Sequence, residues 1–139
     1  MLKLLEERLT GSIISAFFEV YNTLGYGFLE HVYILALELE LRDRGHDVAR
    51  QVGVRVMYKG QQLTKQRLDM IVDGKVVVEV KSTLDLHAAA RRQLYNYLKA
   101  TSLEVGLLLH FGPKATFYRE IRSSPKKRSA ESAKSVESG

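Results

Sequence analysis

The stretch RLDMIVDGKVVVEVK, residues 67–81, constrains the fold more than any other part of the chain. Two apolar runs flank an Asp-Gly pair, the pattern of a β-hairpin. Alternate residues of a strand share a face. In the first run Leu68, Met70 and Val72 share one face, and Arg67, Asp69 and Ile71 share the other. In the second run Val76, Val78 and Val80 share a face, and Val77, Glu79 and Lys81 share the other. Residues directly opposed in an antiparallel pair point to the same side. A two-residue Asp-Gly turn would pair Val72 with Lys75 and mix apolar with charged residues along the hairpin. A shift by one pairs Val72 with Val76, Met70 with Val78, Leu68 with Val80 and Asp69 with Glu79. One face then becomes wholly apolar. A one-residue slip flips every side chain, so the apolar pattern selects this second register. It requires an odd, three-residue loop with a bulge.

The selected register brings Asp69 against Glu79, with Lys81 nearby. Opposed carboxylates repel unless a cation lies between them. Two carboxylates at close range suit Mg²⁺, a hard ion that takes oxygen ligands and keeps several waters. A lysine on the same face can position or deprotonate an attacking water. A solvated face with cross-strand ion pairs stands open beside this reading.

The rest of the chain gives the hairpin its setting. In LKLLEERLTGSIISAFFEVYNTLG, Leu5, Ile13, Ile14, Phe17, Val20 and Tyr21 recur near a helical period. That predicts a helix with a weak point at Gly11 and an end near Gly25. FLEHVYILALELELRDRG predicts a second helix stopped at Gly45, with Arg42 and Arg44 at the negative end of its dipole. The period then alternates: Val52, Val54, Val56 and Tyr58 of DVARQVGVRVMY share a face, as in a strand. Lys-Gly turns it back into QQLTKQRLDMIV. LDLHAAARRQLYNYLKA returns to helix, with Leu86, Ala90, Leu94, Tyr97 and Leu98 as its inner stripe. EVGLLLHFG reads as a strand covered on both faces, and ATFYREI as a last strand. The helix before EVGLLLHFG has the length that a parallel crossover needs. The expected class is α/β, a mixed sheet flanked by helices. One domain is expected over residues 1–122, with a disordered basic tail, including PKKR, over 123–139.

An Asp on one strand followed by Glu-x-Lys on the next resembles the PD-(D/E)XK nuclease superfamily. GFLEHVY, with Gly27, Glu30 and Tyr33, is similar to the signature of the GxxExxY protein family, a small branch of that superfamily. QLYNY, with Gln93 and Tyr97, resembles the QxxxY motif of recombination-type nucleases. The resemblance covers roughly Ile13 to Ile121. It implies a restriction-endonuclease-like αβββαβ core and Mg²⁺- or Mn²⁺-dependent phosphodiester hydrolysis. Asp69 and Glu79 would bind the metal, with the Val80 carbonyl and Glu30 as further ligands. Lys81 would orient the water and stabilise charge on the phosphate. Gln93 and Tyr97, one helical turn apart, would hold the substrate or the site's geometry. The proline that often precedes the first Asp is Leu68 here.

Residue chemistry narrows the location and the partners. Without cysteine, disulfides, thiolate zinc sites and iron–sulfur clusters are excluded. No apolar run approaches the roughly 20 residues of a membrane helix, and the acidic residues of MLKLLEERLTGS argue against a secretion signal. A cytoplasmic location without a membrane partner is the expectation. The net charge of +5 favours anionic partners, nucleic acid first; DNA as the substrate is what the nuclease resemblance implies. Arg91 and Arg92 are placed to meet phosphates, and a small domain that cuts a duplex is compatible with a homodimer. Tyr33 and Tyr97 also read as core aromatics, and Glu30 as an ordinary first-turn acid. Asp73 and Asp85 read as turn and cap residues, and the four histidines lack metal-ligand spacing. A catalytically silent nucleic-acid-binding or protein-interaction module is the alternative function.

Overall fold

The computed structural model describes residues 6–123. The chain runs α1 (Glu7–Leu24), α2 (Glu30–Asp43), β1 (Val48–Tyr58), β2 (Gln61–Val72), β3 (Val76–Lys81), α3 (Ala90–Thr101), β4 (Val105–Phe111) and β5 (Ala115–Ile121). The five strands form one sheet in sequence order. Neighbours are antiparallel except β3 and β4, which are parallel and linked through α3. This is the mixed sheet and element order expected. The tail lies outside the described residues apart from Ser123.

Helices cover both faces of the sheet. On one side α1 and α2 bury Phe17, Tyr33 and Leu37 against Val78, Leu107 and Phe111. On the other, α3 buries Leu94 and Leu98 against Val54, Val77 and Leu108. β4 is buried at every position, which is why its sequence is apolar without alternation. Phe111 stacks on Tyr33 at 4.1 Å between ring centroids and meets Phe17 edge-on at 4.8 Å. No helix among the described residues is long and apolar enough to cross a membrane.

Two helix expectations need correction. α1 runs through Gly11 without a break. The buried face formed by Ile13, Ala16, Phe17 and Val20 outweighs a single glycine, which costs only about 1 kcal/mol. α3 begins at Ala90, so Leu86 packs on its core from the preceding loop. There His87 Nδ1 accepts the Ala89 N–H at 3.0 Å, a local bond that competes with an earlier helix start.

The hairpin register is the expected one where the ladder is formed: Val72 pairs with Val76, Ile71 with Val77 and Met70 with Val78. Asp73 and Gly74 adopt φ of 53° and 66°, and the Lys75 N–H donates to the Val72 carbonyl at 3.0 Å. The loop is therefore a tight Asp-Gly turn plus one bulged residue. Leu68 departs from the expectation. It packs in the α3-side core, whereas Met70 and Val72 pack in the α1–α2 side. β1 changes layer at the same level, from Val48 to Val54. Gln51, at φ 51°, lies between the pairs Arg50–Met70 and Val52–Leu68 and interrupts the ladder opposite Asp69. The register shifts between Val56 and Met57, where Leu63 of β2 is the extra residue, and Tyr58 stands at the hairpin tip. Its ring is 57% exposed.

Candidate active site

Asp69 sits at this change of layer, where β2 and β3 part. Met70–Val78 is the last backbone pair on that side. Beyond it, side chains replace the ladder. The Asp69 N–H donates to Glu79 Oε2 at 3.0 Å, and the Val80 N–H donates to Asp69 Oδ2 at 2.7 Å. Each carboxylate thus satisfies a backbone donor that the parting strands leave without a partner. The twist also explains how both helical layers reach one point: α2 approaches from one side of the sheet and α3 from the other.

The electrostatics identify the members of that cluster. Glu79 is only 7% exposed. Its burial, and next the Asp69 charge, push its pKa up to about 8, against the opposing pull of Lys81. Burial also raises the Asp69 pKa, while the Val80 N–H, Lys81 and Arg50 act to lower it. Glu30 is raised by burial and then by Asp69, with Lys81 and the Ser82 backbone opposing. Tyr97 is raised by burial, then by Glu79 and Asp69. Glu30 of α2, Asp69 of β2, Glu79 and Lys81 of β3 and Tyr97 of α3 therefore share one electrostatic neighbourhood.

Tyr33 acts on the loop that delivers Glu30. It is fully buried, and its hydroxyl donates to the Gly25 carbonyl at 2.6 Å and accepts the Phe28 N–H at 3.2 Å. Gly27, at φ 109°, makes the turn between them. Ser82 Oγ donates to the Phe28 carbonyl at 2.6 Å and ties the same loop to the end of β3. Tyr33→Phe would leave the Gly25 carbonyl and Phe28 N–H without this partner. It is expected to cost about 1–2 kcal/mol of stability, read from urea melts.

Gln93 joins Lys81, Thr83 and Leu86 around a cavity of about 410 Å³. With Tyr97 and Arg92 it also lines a groove of about 950 Å³ between α3 and β1. Arg92 lies over the Tyr95 ring, 5.0 Å from its centroid. Arg91 turns away from the cluster to pair with Glu120.

Three participants were not singled out from sequence. Arg50 donates to Glu38 Oε1 at 3.1 Å and adds positive charge beside Asp69. Ser82, directly after the Glu-x-Lys pattern, holds the α2 loop. His110, paired with Lys81 across β3 and β4, is buried and contacts the Thr83 carbonyl through Nε2 at 2.8 Å. A carbonyl only accepts, so Nε2 carries the proton and clamps the segment after Lys81. Asp73, as expected, is a turn residue: it accepts the Asp47 N–H at 2.7 Å and pairs with His46. Asp85 is not a cap; its carbonyl accepts the Thr83 hydroxyl.

The donor set suits a hard divalent cation. Asp69 and Glu79 are carboxylates crowded together in a buried place, and burial first, with the Asp69 charge adding at Glu79, raises their pKa values. Mg²⁺ is commonly held by one or two carboxylates, with water and substrate oxygens completing its shell. Among the described residues no group of three or more His, Cys, Asp or Glu is placed to hold a metal.

Comparison with known proteins agrees with this architecture. The crystal structure of SSO0001 aligns with a TM-score of 0.54 at 22% identity, over 79% of this chain and 60% of that one. An alkaline exonuclease from Laribacter hongkongensis aligns with a TM-score of 0.44 at 13% identity, over 70% of this chain and 59% of that one. The chain thus spans about three fifths of the length of either structure. No curated protein matches it. The likeness to SSO0001 supports a restriction-endonuclease-like fold. The family model for the PD-(D/E)XK nuclease superfamily matches residues 7–123, from the start of α1 to just past β5, and the chain belongs to that superfamily.

Proposed function

We propose that this chain is a Mg²⁺-dependent nuclease that hydrolyses phosphodiester bonds in DNA, and that it belongs to the GxxExxY branch of its superfamily. The observation that carries the reading is the exchange of hydrogen bonds between Asp69, Glu79 and the backbone where β2 and β3 part, beside Lys81. Asp69 and Glu79, with the Val80 carbonyl, would hold the ion, and Glu30 would add a carboxylate. When bound, the ion supplies Lewis acidity and neutralises charge developing on the phosphate. Lys81 orients the attacking water and offsets negative charge on the phosphoryl oxygens. Gln93, Tyr97 and Arg92 orient the substrate from α3. Tyr33 positions Glu30 through the loop before α2. Residues 1–122 form the catalytic domain.

The purified chain is expected to cut at least one member of a panel of linear, circular and single-stranded DNA and RNA with Mg²⁺ or Mn²⁺. EDTA is expected to stop cutting. Absence of cleavage over the whole panel would leave the silent binding module, which the lack of a three-donor cluster among the described residues favours.

A further inference from the structure

Between Asp47 and Asp69 the sequence holds no acidic residue but five cations: Arg50, Arg55, Lys59, Lys65 and Arg67. This stretch is the long hairpin of β1 and β2, which projects past the end of β3, since β3 pairs only with Met70, Ile71 and Val72. Within it Gly53 pairs with Arg67 and Arg55 with Lys65. Opposed residues share a face and alternate residues share a face. Arg55, Lys65 and Arg67 therefore form one cationic face, and all three are exposed. The stem of Lys65 lies across Gly53, where an added Cβ would stand 3.1 Å from Lys65 Cδ. Gly53 thus keeps that face low. Among the described residues Arg55, Lys65 and Arg67 make no ion pair. Where the arm faces α3, the groove is lined by Arg55, Arg92 and Lys99 and by no acid. Arg67 stands two residues from Asp69, so the cationic face leads directly to the acidic cluster.

We infer that the β1–β2 arm is a track for the phosphodiester backbone of a nucleic acid, with Arg55, Lys65 and Arg67 as its phosphate contacts. The inference rests on the nuclease reading of the site and adds where the substrate lies. Contacts of this kind release counterions and carry no sequence information, so they bind any sequence and weaken steeply with salt.

The test compares the full chain with Arg55→Ala/Lys65→Ala and with a charge-matched control away from the arm, Arg8→Ala/Lys75→Ala. Binding to fluorescein-labelled single- and double-stranded DNA is followed across a NaCl series in EDTA. The arm variant is expected to bind at least tenfold more weakly at 0.1 M salt. Its slope of log K against log salt should be shallower by roughly 1.4 on single strands or 1.8 on duplex. The strand form that shows the larger loss is the one the arm holds. With Mg²⁺ added, KM rises and kcat is kept. The control changes binding by less than twofold. If the full chain cuts DNA and the arm variant matches the control, the arm proposal is overturned while the nuclease reading stands; if it binds without cutting, the nuclease reading fails and the arm is judged by the binding comparison alone. If the full chain neither binds nor cuts any substrate, the nuclease reading fails and takes the arm with it. Should the double variant melt early, Arg67→Ala repeats the comparison with one exposed side chain.

Discussion

Lys81→Ala is expected to lower cleavage roughly 10²–10³-fold, the range lost when one electrostatic stabiliser is removed from an active site. Lys81 ends β3 and pulls down the pKa of Glu30, Asp69 and Glu79 together. Arg50 shares that role only toward Asp69. A phosphate arriving at this cluster brings more negative charge to a place already short of cations. Without Lys81 the developing charge on its oxygens loses an opposing group from the protein. The measurement is the single-turnover cleavage rate, with melting and DNA binding in EDTA as controls. Binding should persist, because the arm cations are untouched, and the chain should still fold. Wild-type cleavage by Lys81→Ala over a broad substrate panel would sink the assignment of chemistry to this cluster.

Much of this site was legible in the sequence because its hairpin obeys simple parity. The need to bury Val76, Val78 and Val80 against Met70 and Val72 decides the register, and the register brings the acids together. The helix motifs were legible for another reason: Glu30 and Tyr33, like Gln93 and Tyr97, sit at fixed helical offsets. What parity misses is the change of layer. A strict alternation places Leu68 with Met70, yet Leu68 belongs to the α3 core. The cause is Gln51 at φ 51° on the neighbouring strand. A glutamine has no intrinsic preference for that region, so tertiary packing sets it and no local pattern announces it. Arg50 was missed similarly. As one cation in a basic strand it looks like its neighbours until α2 brings Glu38 against it. The layer change matters more than the lost prediction, because it lets Glu30 and Tyr97 meet the same pair of carboxylates from opposite sides of the sheet.

Glu79→Gln should stabilise the chain in metal-free buffer while abolishing cleavage. Glu79 has an ordinary pKa of 4.5 and a folded-state value of about 8, raised first by burial and then by Asp69. Between those values the folded chain keeps a proton that the unfolded chain has released. Stability is therefore fully present below pH 4.5 and falls as pH rises through this window, levelling off above about 8. A glutamine has no proton to lose, and its carbonyl oxygen can still accept the Asp69 N–H. The variant is expected to be more stable than wild type by about 4 kcal/mol at pH 8, with the difference vanishing by pH 4. Urea melts in EDTA across that range read it directly. Mg²⁺ should reverse the order in part: a cation bound by the folded state stabilises wild type by mass action, and the variant lacks a ligand for it. A wild-type chain whose stability is flat from pH 5 to 8 and equal to that of Glu79→Gln would contradict a buried, crowded carboxylate. The coupling of the two effects is the stronger test, since a carboxylate kept for folding alone would lose stability on replacement, whereas one kept for chemistry costs stability until a cation is bound.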